Sequence, residues 1–245
     1  MSQSFRLAVL EAQTPLPNTL AARGSYGDIF RALLTDGLRN LGDKLASVDL
    51  QVSKWDVHDA QTYPDIDEVD GILISGSTHN AYDNDPEILR LLDFVRDAYH
   101  TARKPIIGIC FGHQLVGRML GAKVGVNPRG WELSVQTIHL SDRGRDLIGL
   151  PSIDIHQFHR DIVFDVPDGL LNLGSSPVCE NQAFYQPGRI LTFQGHPEFD
   201  ASVTTELLGI PDLLDEKQIE RALETVDRQH SGAYLAVKMI EFLLS

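Results

Sequence analysis

One cysteine lies between an apolar segment and a helix-like segment, in a pattern that suits nucleophilic chemistry. Residues 105–109 are apolar and lead to Cys110, and residues 111–120 have helical spacing. Gly108 and Gly112 flank the cysteine, which gives the G-x-nucleophile-x-G form of a nucleophile elbow. Such a turn is strained and needs small neighbours, and the N–H groups of the following helix would favour a thiolate. A buried core thiol is the alternative interpretation.

A histidine and a glutamate further along the chain can supply the base that a thiol nucleophile needs. They occur in RILTFQGHPEF as His196 and Glu198, at the end of a predicted strand. Residues i and i+2 of an extended chain face the same side, and Pro197 favours an extended backbone at His196. The pair could instead ligate a metal, but no third ligand and no C-x-x-C accompany it. We therefore expect a base and its orienting carboxylate, with no metal and no cofactor.

The segments around these residues resemble those of a known family. GICFGHQ, which contains Cys110, and GHPE, which contains His196, are similar to segments of the class I, or triad-type, glutamine amidotransferases. ISGSTHNAYDND resembles the oxyanion segment of the GMP-synthetase-like branch, which includes stand-alone gamma-glutamyl peptidases. Matching pieces extend from about Phe5 to Phe199. The resemblance implies a flavodoxin-like fold and a Cys110–His196–Glu198 triad that attacks gamma-glutamyl amides.

A place for the developing oxyanion is also predicted. Two apolar strands would end at Ser75-Gly76-Ser77 and at Cys110, and ligands bind at the carboxyl ends of parallel strands. The backbone N–H groups of Gly76 and Phe111 could then point at the oxyanion of an acyl intermediate. An ordinary strand-ending turn is the alternative interpretation of Ser-Gly-Ser.

The resemblance implies further contacts with the substrate. Gln114 matches the glutamine of C-x-G-x-Q, which touches the substrate in this family, although a solvent-facing helix residue is the alternative. Residues 131–134 match a segment that touches the alpha-amino and carboxylate end of the substrate. His159 matches a His-x-Asp pattern beside the pocket, while His156 and His159 are equally compatible with a solvated strand edge. The predicted substrate-binding residues are Ser77, Gln114, Trp131, Ser134 and His159.

Alternation of strands and helices predicts a three-layer α/β fold. Continuous apolar strands such as GILIS and PIIGI indicate an open, mostly parallel sheet with helices on both faces. Helices are predicted over 25–41, where Ser25 and Asp28 could form a capping pair, and over 86–99. A polar loop is predicted after the first strand. Shorter alternating strands after Gly121 predict a mixed or antiparallel extension, and 212–244 reads as mostly helical. We interpret 1–245 as a single domain.

Composition is ordinary for a globular protein with a core, at 42 % hydrophobic and 22 % charged residues. The net charge of −13 opposes binding to nucleic acid or anionic membranes. The start of the chain has no signal-peptide or transit-peptide pattern, and no run is long enough to span a membrane. We therefore expect a cytoplasmic protein with both cysteines reduced.

These observations favour a cysteine-nucleophile hydrolase of gamma-glutamyl amide bonds, in glutamine or in peptides such as glutathione or its conjugates. One alternative is a glutaminase subunit that delivers ammonia to a separate synthetase, since no nucleotide-binding motif is present. A second is a non-catalytic regulatory or chaperone-like protein. The small-molecule substrate itself is not identified, and segment 200–232 could form part of the pocket rim.

Overall fold

The computed structural model describes residues 3–42 and 48–245, and its helices and strands alternate over the first half of the chain. The strands are β1 Gln3–Glu11, β2 Val48–Asp56, β3 Gly71–Ile74, β4 Ile106–Ile109, β5 Val124–Val126, β6 Glu132–Leu140, β7 Ser152–His159, β8 Asp161–Val163, β9 Leu171–Ser175, β10 Ala183–Gln186 and β11 Ile190–Phe193. The helices are α1 Pro17–Arg23, α2 Tyr26–Asn40, α3 Pro86–His100, α4 Phe111–Met119, α5 Asp142–Ile148, α6 Ala201–Leu208, α7 Glu216–Leu223 and α8 Gly232–Leu243.

Nine strands form one sheet in the order β2-β1-β3-β4-β11-β10-β9-β6-β7. The strands from β2 to β11 run parallel to their neighbours in this order. From β11 to β7 every pairing is antiparallel. The predicted mixed sheet, with a parallel core and an antiparallel extension, is therefore confirmed. The short strands β5 and β8 pair separately.

Apolar residues of the helices pack on both faces of the sheet. Its central strands β3 and β4 are therefore buried on both sides. On one face, Phe30 of α2 and Met239 of α8 belong to one core cluster. On the other face, Val95 of α3 and Leu115 of α4 belong to a second cluster. The predicted three-layer arrangement follows from these two cores.

The helices predicted over 25–41, 86–99 and 111–120 agree with the structure to within about a residue or two at their ends. The mostly helical stretch predicted over 212–244 consists of the two helices α7 and α8. The capping pair is present, since Asp28 Oδ2 accepts hydrogen bonds from the N–H of Ser25 at 3.1 Å and from its hydroxyl at 3.0 Å. Among the described residues, no helix is long and apolar enough to cross a membrane.

Four elements were not predicted: the helices α1, α5 and α6 and the strand β9. The prediction of a polar loop after the first strand is wrong for residues 17–23, which form α1. This helix is only seven residues long, and such a helix is not stable by local preference alone. Glu206 of α6 holds its first turn by accepting hydrogen bonds from the N–H groups of Asn18 and Thr19 at 2.7 and 2.8 Å.

Candidate active site

Cys110 stands at the turn between β4 and α4 with a backbone φ of +51°, which is rare for a residue other than glycine. The two flanking glycines permit this turn. A Cβ atom added at Gly108 would lie 2.6 Å from the carbonyl oxygen of Gly112, and one added at Gly112 would lie 2.6 Å from that of Ile74. Any larger residue would push strand and helix apart. The geometry is that of the predicted nucleophile elbow.

His196 and Glu198 follow the end of β11 and form a buried pair. His196 Nδ1 lies 2.8 Å from Glu198 Oε1, and the side chains are 5 % and 0 % exposed. The His196 N–H donates to the carbonyl oxygen of His156 at 2.8 Å, which fixes this segment to β7. The predicted projection of both side chains to one side is therefore present.

The charges around His196 favour its protonated form. Burial by itself lowers the pKa of the imidazole, but the charges of Glu198 and Cys110 outweigh that effect and raise the pKa from 6.5 to about 10. Nδ1 faces the carboxylate, so Nε2 is the nitrogen that remains to exchange protons with a substrate or a thiol.

Gly76, just after the end of β3, lies close to the side chains of His196 and Cys110. A Cβ atom added at Gly76 would lie 2.8 Å from His196 Cε1 and 3.7 Å from Cys110 Cβ. Within residues 3–42 and 48–245, the N–H groups of Gly76 and Phe111 donate to no other group. Two unpaired donors thus stand near the sulfur, which is the requirement for an oxyanion hole.

A cavity of about 160 Å³ opens beside Cys110. Four of the five predicted substrate-binding residues line it, namely Ser77, Gln114, Trp131 and His159. Ser134 does not line the cavity. It is fully buried with a φ of +63°, and its hydroxyl has no hydrogen-bond partner among the described residues.

Gln114 is buried beneath the cavity, so a solvent-facing position for it is wrong. Its Nε2 donates to the carbonyl oxygen of Asp161 at 2.9 Å and to Gln194 Oε1 at 3.2 Å. Both amide hydrogens are therefore used, and Oε1 stays available to accept a hydrogen bond from a ligand.

The alternative of a solvated strand edge at His156 and His159 is also wrong, because both residues are buried. The edge of β7 is covered by the N–H groups of His196 and Ser231, which donate to the carbonyl oxygens of His156 and Asp154. His159 Nε2 lies 3.0 Å from Glu132 Oε2 in a second buried pair.

Segment 200–232 contributes one wall of the cavity through Leu213, which lies between α6 and α7. Leu214 packs with Trp131 and Phe158 against a small apolar cluster. The expectation that segment 200–232 could form part of the pocket rim therefore agrees with the structure, but Leu213 and Leu214 were not singled out, nor were Arg160 and His79 at the same cavity. Their positions depend on how loops meet, which no local pattern indicates.

Within the described part of the chain, no group of three or more histidine, cysteine or acidic residues is arranged to hold a metal ion. At the carboxyl ends of the parallel strands, the site therefore combines the Cys110 elbow, the backbone N–H groups of Gly76 and Phe111, and the buried His196–Glu198 pair. This combination supplies the groups that acyl transfer through a thiol nucleophile needs.

Comparison with known proteins identifies the family. The family model described as glutamine amidotransferase class-I matches residues 26–208. The chain therefore belongs to the class I glutamine amidotransferases.

Individual relatives cover most or all of the chain. A glutamine amidotransferase-like protein of Schizosaccharomyces pombe is 35 % identical over 98 % of this chain and 99 % of its own length. Gamma-glutamyl peptidase 3 of Arabidopsis thaliana is 28 % identical over 74 % of this chain and 76 % of its own. A glutamine amidotransferase of Thermotoga maritima has the same fold, with a TM-score of 0.73 at 20 % identity over the whole of both chains.

Proposed function

We propose that this protein is a cytoplasmic cysteine-nucleophile hydrolase of gamma-glutamyl amide bonds, which acts on glutamine or on gamma-glutamyl peptides such as glutathione or its conjugates. The observation that carries the proposal is the position of the strained Cys110 elbow at the cavity, close to the buried His196–Glu198 pair. Similarity to gamma-glutamyl peptidases favours this substrate class over other amides.

In the proposed reaction, the Cys110 thiolate adds to the delta-carbonyl carbon of the glutamyl group. The N–H groups of Gly76 and Phe111 bind the oxyanion that forms. The imidazolium of His196 gives its Nε2 proton to the departing nitrogen, so the C–N bond breaks and an amine or ammonia leaves.

The glutamyl thioester that remains is hydrolysed by water. Neutral His196 takes a proton from the water as the oxygen attacks the thioester carbon, and the C–S bond then breaks to release glutamate. The thiolate and the imidazolium are both restored. Glu198 keeps the imidazole in one tautomer and stabilises its charged form throughout.

Substrate orientation is assigned to the cavity. Gln114 Oε1 would accept a hydrogen bond from the alpha-ammonium group, since both hydrogens of its amide nitrogen are already used. Ser77, Trp131 and His159 line the remaining wall and would contact the rest of the glutamyl group. Ser134, which does not line the cavity, is given no contact with the substrate.

The test is turnover by the purified protein with glutamine, glutathione and a gamma-glutamyl anilide. Cys110→Ala should abolish turnover and thioester formation while circular dichroism shows an intact fold. Cys179→Ala is a matched control, because Cys179 is the other cysteine, is fully buried and donates weakly to Asn181 O. If Cys110→Ala keeps a tenth of the wild-type rate or more, the nucleophile is another residue.

The same assay separates the alternatives. Rapid cleavage of the peptide without any partner supports the hydrolase. Glutaminase activity that appears only with a synthetase present would instead identify a subunit that supplies ammonia. Absence of turnover together with a Cys110 that no thiol reagent modifies at neutral pH would favour a non-catalytic role.

A further inference from the structure

Phe199 stacks on the ring of His196. The two ring centroids are 3.9 Å apart and the planes differ by 8°, so one face of the imidazole is covered by the phenyl ring. Phe199 is itself buried, and the ring of Tyr26 of α2 also packs against it, with centroids 6.5 Å apart. None of the chemistry described above uses Phe199 or Tyr26.

The backbone around Phe199 is held in place from outside its own segment. Arg23 of α1 donates from Nη1 to Asp200 Oδ2 at 3.0 Å and from Nη2 to the carbonyl oxygen of Glu198 at 3.3 Å. One guanidinium therefore binds the residues on both sides of Phe199. This contact holds the residues on either side of the stacked ring.

An aromatic face attracts a cation that lies against it, and the attraction is stronger when water is excluded. A neutral imidazole gains much less from the same contact, so a stacked phenyl ring favours the protonated state of a histidine. We propose that Phe199 is a positioning residue that holds the His196 ring in one orientation and stabilises its imidazolium form. The inference rests on the proposed role of His196 as the acid and base of the reaction.

Other titratable groups near His196 also influence its protonation. Tyr26 stays neutral because burial and the charge of Glu198 raise its pKa. His156 stays neutral above pH 5 because burial and the neighbouring His230 lower its pKa to about 4. The titratable groups that face His196 or its carboxylate are Cys110 at the start of α4, Glu198 on its own segment, His156 on β7 and Tyr26 on α2.

The test measures the pKa of His196 in two ways. The first is the basic limb of the pH profile of kcat/KM for a gamma-glutamyl anilide, where the imidazolium is lost. The second is an NMR titration of histidine ring signals in a Cys110→Ser background, which needs no turnover. Phe199→Leu should lower both values by roughly half a unit to one unit. Phe199→Tyr, which keeps an aromatic face, should stay close to wild type.

Phe242→Leu is the matched control for loss of a buried phenyl ring. Phe242 is buried in α8 and contacts Tyr185 edge-on, far along the chain from the site residues. Should Phe199→Leu fail to fold, phenylalanine at 199 can be replaced by its fluorinated analogues, which keep the shape and weaken the negative face of the ring. The His196 pKa should then fall stepwise with the number of fluorine atoms.

The outcomes are distinct. An unchanged His196 pKa in Phe199→Leu or across the fluorinated series overturns the inference, as does an equal shift in Phe242→Leu. Failure of the proposed function has another signature, namely wild-type protein that turns over no gamma-glutamyl compound. The NMR titration remains interpretable in that case and still decides whether the stack stabilises the imidazolium.

Discussion

Two buried histidine–glutamate pairs lie close to the same cavity, yet their surroundings suit them to different tasks. In the first pair, His196 Nδ1 is 2.8 Å from Glu198 Oε1, and in the second, His159 Nε2 is 3.0 Å from Glu132 Oε2. All four side chains are at most 5 % exposed. Distance and burial alone therefore do not tell a base from a structural pair.

The difference lies in what else each imidazole touches. His159 Nδ1 faces the carbonyl oxygen of Asp161 at 3.1 Å, and Glu132 Oε2 also accepts from Gln182 Nε2 at 2.7 Å. The two partners of His159 therefore occupy both of its ring nitrogens. Among the described residues, His196 makes one such bond, to Glu198, and its other nitrogen is on the side of the Cys110 thiol. A histidine can act as a base only if it keeps one nitrogen unoccupied.

The largest difference in activity between the two pairs is expected when the imidazoles are replaced. We expect His196→Asn to lower kcat/KM for a gamma-glutamyl anilide by about 10,000-fold, because both proton transfers lose their carrier. His159→Gln should lower it by no more than about 100-fold, as expected for a lost substrate contact. Steady-state kinetics on both variants, with circular dichroism as a check of folding, decides the point. Equal losses would show that the second pair shares in the chemistry.

The carboxylates should differ in the same direction but by less. Glu198→Gln removes the charge that fixes the His196 tautomer, so we expect kcat to fall about 1,000-fold. It should also shift the basic limb of the pH profile downwards, since the charge of Glu198 raises the pKa of His196. Glu132→Gln is the same change in the other pair, and its kcat should remain within about tenfold of wild type. A larger loss of kcat in Glu132→Gln would mean that the His159–Glu132 pair also takes part in the reaction.

For the second pair, the main loss should appear in stability. Glu132→Ala takes the acceptor from His159 and Gln182 together, and breaking one partner of a buried pair costs about 3 kcal/mol of unfolding free energy. Urea denaturation at pH 7 measures this cost. Glu132→Gln keeps an oxygen acceptor and should recover part of the loss. Unchanged stability in Glu132→Ala would mean that the pair is not structural.

A third buried histidine, His113, has no carboxylate partner among residues 3–42 and 48–245, and its pH dependence sharpens the contrast. Its Nδ1 lies 2.8 Å from the Thr192 hydroxyl. Burial and the charge of His159 lower its pKa from 6.5 to about 3. Below about pH 6.5 the His113 imidazole binds a proton in the unfolded chain but stays neutral in the folded protein. The contribution of His113 to the free energy of unfolding is therefore complete above about pH 6.5 and is lost as the pH falls towards 3.

We expect roughly 2 kcal/mol of unfolding free energy to disappear at this residue between pH 7 and pH 5. His113→Asn, which keeps a polar atom near Thr192, should flatten that part of the pH profile, as measured by denaturation at both values. For His196 the sign is opposite. Its raised pKa adds stability that is complete below about pH 6.5 and is lost as the pH rises through about 10. A steeper acid dependence in His113→Asn would contradict the assignment.

The first pair was predictable from the sequence and the second was not, for a geometric reason. His196 and Glu198 are two residues apart, and any extended chain places such side chains together. Glu132 and His159 lie opposite each other in the paired strands β6 and β7, which the chain connects through the helix α5. Their meeting depends on the register of that pairing, and a shift of one residue would separate them.

The same division holds for the fold and the rest of the site. The parallel core of the sheet was predictable from the alternation of strands and helices and from the continuous apolar strands, because those patterns repeat over many residues. The short helix α1 had no such signal, since its first turn is held by Glu206 far along the chain. The burial of His156 depended equally on a distant segment, which covers the edge of β7.

The chain alone was enough to predict a cysteine elbow with a base and a carboxylate, because the glycine spacing and the i, i+2 pair are local and follow from backbone geometry. Folding decided which histidine keeps a free nitrogen, which wall Leu213 supplies to the cavity, and that Phe199 lies flat on His196. These depend on contacts between distant segments, and the packing of the whole domain places them.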